Sequence, residues 1–381
     1  MSRLIASLSG GVDSAVAAAR ALDAGHDLTA IHLALSRYPA THRTGSRGCC
    51  SLEDANDARR VADRLGIPFY VWDFSAEFFH EVVEDFLTEY ACGRTPNPCL
   101  RCNEKIKFAA VCDRATALGF DGVVTGHYAR LTTNSQGLVE LHRGLDASKD
   151  QSYVLGVLTQ QQLQRSYFPL GDSLKTEVRQ EARQRGFKVA DKPDSYDICF
   201  IPDGDTAGYL RSGLGARPGP ILDESGTELG QHQGTFAYTI GQRKGLNLGR
   251  PAADGQPRYV VGFDPASNAV IVGPRQHLKV DTITGTNPTW CDHPPAAPIQ
   301  ASVQLRAHAD EIPALVTPEN DTVRIELATP AYGIAPGQTA VIYQGTKVVG
   351  SATIEGTGLR ATIEGTGMSA TELRTQGSPD Y

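Results

Sequence analysis

The stretch RLIASLSGGVDSAVAAARALDAG, residues 3–25, decides how the rest of the chain is read. A short apolar run from Arg3 to Leu8 breaks into Ser9-Gly10-Gly11-Val12-Asp13-Ser14, and apolar residues then recur at helical spacing until Gly25. The pattern predicts strand, glycine turn, helix. Glycines let a backbone pass close to phosphate oxygens, and a helix N-terminus supplies unbonded N–H groups and a positive dipole end. Ser9 and Ser14 add hydroxyl donors. The Walker lysine is absent, so this is not a GxxxxGK[ST] loop. The plainer alternative is a glycine turn capped by serine, with no ligand.

Outward from that stretch the same alternation continues. DLTAIHLAL reads as a second strand, Glu53 to Leu65 as a helix closed by Gly66, and IPFYVWDF as a third strand. A helix from Ala76 to Ala91, the proline-rich GRTPNPCLRCN, a helix from Lys105 to Leu118 and a fourth strand in DGVVTGHYARL follow. Strands alternating with helices predict an α/β domain with a parallel sheet covered on both faces, spanning 1–205. From 206 glycine and proline cluster and short β-rich runs appear (RYVVGFD, AVIVG), which marks a small central domain over 206–280. Beyond it ASVQLRAH, DTVRIELATP and QTAVIYQGTKVVGSATI predict a C-terminal β-barrel over 281–381. The near-duplicate TIEGTG at 353–358 and 362–367 is too short for a solenoid and reads as a local duplication.

Composition bounds the rest. With 40% hydrophobic and 21% charged residues over 381 positions, the chain can bury a substantial core in two or three domains. No apolar run approaches the roughly 20 residues that span a bilayer, and the N-terminus lacks a signal-peptide pattern. A cytoplasmic protein without membrane attachment is the expectation. The net charge of −7 runs against a nucleic-acid footprint unless the basic surface is local.

Eight cysteines in a chain of this length do not make a disulfide scaffold. Cys99 and Cys102 sit in a proline-constrained loop ahead of a helix, with Arg101, Lys105 and Lys107 near in sequence; positive charge and a helix N-terminus both favour a thiolate. Cys199 lies in DSYDICF at the end of the first domain. Three readings stay open: buried packing, a zinc or iron–sulfur ligand set of Cys99, Cys102 and Cys199, and a redox pair in which one cysteine carries a persulfide and the other resolves it. The redox pair comes first. Cys49-Cys50 reads as a solvated loop pair, and Cys92, Cys112 and Cys291 as helix or strand filler.

The SGGVDS string resembles the PP-loop ATP pyrophosphatases, the adenine nucleotide alpha hydrolase-like fold. Those enzymes cleave ATP between its α and β phosphates and adenylate a substrate oxygen. In that group Asp13 falls near magnesium and pyrophosphate, and Leu33 on the second strand where the adenine packs, although Leu33 reads equally well as core. Six further strings widen the likeness: GRTPNPxxxCNEKIKF at 93–108, TGHYAR at 125–130, RGLDxxKDQSYVL at 143–155, ICFIPDGD at 198–205, YTIGQRKGL at 238–246 and APGQTAVIY at 335–343. Together they resemble the tRNA-specific 2-thiouridylases, which make 2-thiouridine at U34 of tRNA Lys, Glu and Gln.

The resemblance implies ATP, with Mg2+, on Ser7, Leu8, Ser9, Gly10, Gly11, Val12, Asp13, Ser14, Leu33 and Gly126. It implies contact of Asn97, Pro98 and Cys99 with the target base, Cys102 as nucleophile, Cys199 as persulfide carrier, and a transient Cys102–Cys199 disulfide. It puts tRNA on His127, Lys149, Asp150, Gln151 and Gln338. A family Arg-Tyr pair falls on Arg306 and Ala307, so only the arginine transfers. His127 as a strand cap and Lys149-Asp150 as a surface ion pair are the plain alternatives. Partners implied are the tRNA anticodon region and a persulfide donor protein, acting on a monomer. Many family members carry Asp where this chain has Cys99. Members with three cysteines have been linked to iron–sulfur clusters, which keeps a [4Fe-4S] alternative on Cys99, Cys102 and Cys199 open beside the persulfide relay. Arg243 and Lys244 are further candidates for gripping the RNA backbone.

Overall fold

The computed structural model describes residues 1–36, 52–194, 198–201, 203–249 and 255–358. Cys49-Cys50 and the second TIEGTG copy lie outside the described residues. The opening run forms β1 (Arg3–Ser7), followed by α1 (Val12–Asp23) and β2 (Asp27–Ala34). β1 is apolar on both sides because both faces of a parallel sheet are covered. Leu4 and Ala6 pack into one core, with the buried alanines of α1, and Ile5 into the other. α2 (Leu52–Leu65), β3 (Phe69–Asp73) and a helical stretch follow. That stretch is α3 (Ser75–Phe78), a π-helical segment Phe79–Glu84, and α4 (Asp85–Ala91).

The next helix starts earlier than its apolar spacing predicts. Asn97 caps it by accepting from the amides of Cys99 and Leu100, and Pro98 takes the first helical position. Proline is suited there because its missing N–H would have no intrahelical acceptor. α5 (Pro98–Cys102), a π-helical segment Asn103–Ala110 and α6 (Val111–Ala117) then run on without a break. Cys99 and Cys102 are therefore helical, not in a loop before the helix.

β4 (Gly122–Val124) is likewise shorter than the apolar run around it. A side chain at Gly126 would meet the Ser14 amide nitrogen at 2.6 Å, so the chain can pass over α1 there only as glycine, and it leaves the sheet. Ala129 onward, read as part of the fourth parallel strand, instead forms an antiparallel hairpin, β5 (Ala129–Thr133) and β6 (Val139–Arg143). α7 (Ser152–Leu155) and α8 (Gln160–Gln164) lead to β7 (Ser166–Tyr167), and α9 (Lys175–Gln184) and α10 (Thr206–Leu214) follow. The parallel sheet has the order β3-β2-β1-β4-β7. Its direction of growth reverses beside β1, and ligands of open α/β sheets bind at such a point, beyond the strand ends.

β8 (Gly219–Asp223), β9 (Glu228–His232), β10 (Tyr259–Asp264) and β11 (Ala269–Gly273) form a separate sheet in the order β10-β11-β8-β9. The last six strands are β12 (Lys279–Trp290), β13 (Ile299–Gln304), β14 (Ile312–Glu319), β15 (Thr322–Tyr332), β16 (Thr339–Gln344) and β17 (Lys347–Thr357). They close into a barrel through the β12–β17 pairing. The β5–β6 hairpin joins this barrel, with His142 opposite Lys347. Among the described residues no helix is long and apolar enough to cross a membrane.

Candidate functional site

Ser9 to Ser14 occupy the reversal point between β1 and β4. Gly10 has φ +78°, and a side chain there would meet the Asp54 carbonyl oxygen at 2.4 Å. The loop is braced by Ser14, whose Oγ accepts from the Ser9 amide at 3.1 Å and donates to the Gly11 carbonyl at 3.1 Å. Gly11 caps α1 in an extended conformation with no side-chain cap. The first amides of α1 thus meet no capping side chain, the arrangement that takes an anion. Leu8 is buried, its carbonyl bonded to His32 at 2.9 Å. Leu33 is 8% exposed and belongs to the core under the sheet.

Cations crowd the loop from distant parts of the chain. Lys175, the first residue of α9 and 8% exposed, donates to both Asp13 oxygens at 2.7 and 2.6 Å. The Tyr128 hydroxyl donates to Asp13 Oδ1 at 2.8 Å. Burial, and then the Asp13 charge, push the Tyr128 hydroxyl far above its ordinary pKa, so it stays a donor. Asp194 gathers Lys149 at 2.8 Å, Lys175 at 2.9 Å and Arg179 at 2.6 Å. Burial opposes its ionisation, but the hydrogen bonds from Lys149 and Lys175 prevail and lower its pKa to about 2. Lys192 donates to the Gly10 carbonyl at 3.1 Å and to Asp54 and Asp57 at 2.8 Å each. Sequence reading missed Tyr128, Lys175, Arg179, Lys192 and Asp194 as parts of this site. Tyr128 and Asp194 stood inside quoted strings; the three cations carried no local signal.

At the other end of the site, Cys102 is 6% exposed and packs in the same apolar core as Ile5, Leu33 and Ile106, against which the half-buried Cys199 also packs. Cys99 is half-buried one helical turn before Cys102. None of the six described cysteines is disulfide-bonded. Cys112 and Cys291 are filler as expected, with thiols pushed by burial to about 11 and about 12. Cys92 is not filler, because it caps the exposed end of α4. The charges near the cysteines in sequence are committed elsewhere. Arg101 lies 3.6 Å from Glu81, 3.6 Å from Asp85 and 3.3 Å from Glu104, and Lys105 lies 2.8 Å from Glu104.

The residues expected to meet RNA fall in unlike surroundings. His127 is buried between Phe108 and Phe168, 2.7 Å from the Thr125 hydroxyl. Burial, helped by the Lys107 charge, holds its pKa well below the ordinary range, so it is neutral at pH 7. Lys149 sits beside the phosphate loop, Asp150 is buried, and the Gln151 carbonyl accepts from the Tyr128 amide at 3.0 Å. Arg306 is exposed and bonds the Gly333 carbonyl, and Ala307 packs against the core. Gln338 follows a barrel turn whose Pro336 carbonyl accepts from the Thr95 amide at 2.8 Å, beside Asn97-Pro98-Cys99. Its Oε1 is buried and meets no hydrogen-bond partner among the described residues. Arg243 and Lys244 are exposed.

Asp13 offers the hard oxygen donors that magnesium takes. A cluster is not matched in this way. Among the described residues no three His, Cys, Asp or Glu side chains gather where they could hold a metal, so Cys99, Cys102 and Cys199 do not fit as a ligand set.

Three sequence families match the chain in succession. They are the tRNA methyl transferase HUP domain at 2–203, the tRNA methyl transferase PRC-barrel domain at 207–274 and the aminomethyltransferase beta-barrel domain at 280–354. The chain is 62% identical over 355 residues to the tRNA-specific 2-thiouridylase MnmA of Acidothermus cellulolyticus, covering 93% of this chain and 98% of the relative. It is also 62% identical over 360 residues to the protein of that name from Nocardioides sp., with the same coverages. Among solved structures, a 4-thiouridine synthetase in complex with RNA and ATP aligns with TM-score 0.35 and 16% identity, over 55% of this chain and 50% of that one.

Proposed function

The chain belongs to the tRNA-specific 2-thiouridylase family, and on that premise we propose that it is an ATP-dependent tRNA sulfurtransferase acting at C2 of U34 in tRNA Lys, Glu and Gln. One observation carries the reading. Cys102 and Cys199 pack against a single core that reaches, through Ile5 and Leu33, to the strands below the phosphate loop. An adenylating end and a sulfur end thus share one scaffold. Residues 1–205 carry the chemistry, and the central domain (206–280) and barrel (281–381) hold the RNA of a cytoplasmic monomer.

ATP lies on Ser7 to Ser14 and Gly126, with the adenine toward Leu33. Asp13 would hold magnesium, which supplies charge neutralisation on the pyrophosphate. Lys175, released from Asp13 as phosphate arrives, stabilises the negative charge that develops on the leaving group. The target uridine is splayed out of the anticodon loop, as base-directed chemistry requires, toward Asn97, Pro98, Cys99 and the neutral His127. Its C2 oxygen attacks the α phosphorus, and pyrophosphate leaves. A partner protein delivers a persulfide to Cys199. The terminal sulfur attacks C2, the C2–O bond breaks and AMP departs. The Cys102 thiolate then attacks the Cys199 sulfur, breaking the S–S bond and freeing the thiocarbonyl. A Cys102–Cys199 disulfide remains, and an external thiol reduces it before the next turnover. No step runs through an iron–sulfur cluster.

The test is mass analysis of tRNA nucleosides after incubation with ATP, magnesium and a persulfide donor. Wild type forms 2-thiouridine; Cys102→Ser and Cys199→Ser release pyrophosphate but form none. Near wild-type thiolation by either variant sinks the relay. Activity that tracks iron content after anaerobic purification sinks the cluster-free route.

A further inference from the structure

Asp150 ties the nucleotide end of the molecule to the barrel. Its carboxylate accepts from the Gly144 amide at 2.8 Å, the Ser152 amide at 3.1 Å, the Ser152 hydroxyl at 2.8 Å and Arg143 Nη1 at 2.7 Å. Four donors use the acceptor sites that a carboxylate has. Arg143 spans the junction. Its Nη2 donates to Gln304 at 2.9 Å and lies 2.6 Å from Glu311, and its guanidinium covers the Tyr343 ring at 3.8 Å. Its amide donates to the Thr346 carbonyl at 2.9 Å. The residues flanking Asp150 reach the other way. Lys149 holds Asp194, which shares Lys175 with Asp13; Gln151 holds the Tyr128 amide, and the Tyr128 hydroxyl holds Asp13.

We infer that Arg143 and Asp150 form a positioning pair for the adenylation step. They lock the Lys149–Gln151 turn to the docked barrel, and through that turn keep Tyr128 and Asp194 in register with Asp13 and Lys175. Asp150 is then not an RNA contact. Its acceptor sites are filled within the chain, and a carboxylate turned toward phosphate would repel it. The inference rests on the function proposed above and departs from the family expectation that tRNA meets Asp150.

The experiment uses the full chain and measures, for each variant, kcat and KM for pyrophosphate release at saturating ATP with a persulfide donor present, tRNA affinity by filter binding, and the thermal midpoint. Asp150→Asn removes the charge, and Arg143→Lys keeps the charge but not the planar fork. Both lower kcat about tenfold while tRNA Kd and KM stay within about twofold, the split expected when an interaction acts only on the chemical step. Glu311→Gln, which leaves the Arg143–Asp150 pair intact and removes only the charge of a partly exposed partner of Arg143, gives a smaller kcat loss of the same kind and serves if the first two fold poorly. A variant that weakens tRNA binding in parallel with KM at unchanged kcat is an RNA contact and overturns the inference, as does an unchanged kcat. Wild type that releases no pyrophosphate with tRNA and ATP defeats the proposed function instead.

Discussion

The two ends of the site gather their charges over different distances along the chain. Around the phosphate loop, Lys149, Lys175 and Arg179 of α9, and Lys192 converge on Asp13, Asp54, Asp57 and Asp194. Around the cysteines, the Arg101 guanidinium is divided among Glu81, Asp85 and Glu104. Burial raises the Asp85 pKa, and Arg101 works against that rise. At the ATP end the cations are brought to the loop by the fold, and Lys175, Arg179 and Lys192 lie in no motif that announces them. Of the positive charges that lie near the thiols in sequence, Arg101 and Lys105 are paired with neighbouring acids. Adjacency along the chain is a poor guide to local potential.

The contrast can be broken most sharply at Lys175. Lys175→Met should slow pyrophosphate release about 10²–10³-fold, the usual cost of losing a group that meets developing charge; a rate near wild type would mean that the cations at this end only hold the fold. Gly10→Ala comes next. Its added carbon meets Asp54 backbone atoms at 2.4 and 2.8 Å at a position of φ +78°. It should cost about 1–3 kcal/mol in urea unfolding, as overpacking does, and should abolish nucleotide protection against unfolding.

How much of this was legible follows from the same contrast. The loop, the parallel order and the barrel were readable because glycine turns and apolar periodicity are local properties. The helix start at Pro98 was readable in principle, from Asn97 as cap and proline at the first position, but the apolar rhythm begins later and drew the boundary with it. The exit of the chain from β4 depends on how closely Gly126 passes α1, which is a tertiary distance. The same holds for Lys175 with Asp13 and for Lys192 with Asp54 and Asp57, each pair more than a hundred residues apart.

Two smaller effects sharpen the comparison. The Asp194 pKa is depressed to about 2 from an ordinary 3.8, so its ion pairs stabilise the fold fully above the ordinary value and lose that contribution as pH falls through about 2. The group is partly exposed, and solvent screening leaves roughly 1 kcal/mol. Asp194→Asn should accordingly flatten the acid limb of the thermal midpoint against pH; an unchanged limb would remove Asp194 from the network's energetics. Arg101→Gln should be milder, costing under about 1 kcal/mol, as half-exposed ion pairs do, and leaving pyrophosphate release unaltered. A large loss of that release would show that the two ends are electrostatically one.

The pairing of β6 with β17 also has a consequence in time. His142 and Thr346 meet across 204 positions of sequence. At a ribosomal rate of about 5–20 residues per second, the hairpin waits roughly 10–40 s for the strand that it joins. During that interval Arg143 has neither Glu311 nor Tyr343, and one edge of the hairpin is open to any passing strand. The nascent chain can finish its nucleotide fold early, yet its synthesis must reach the last barrel strand before the fold is sealed.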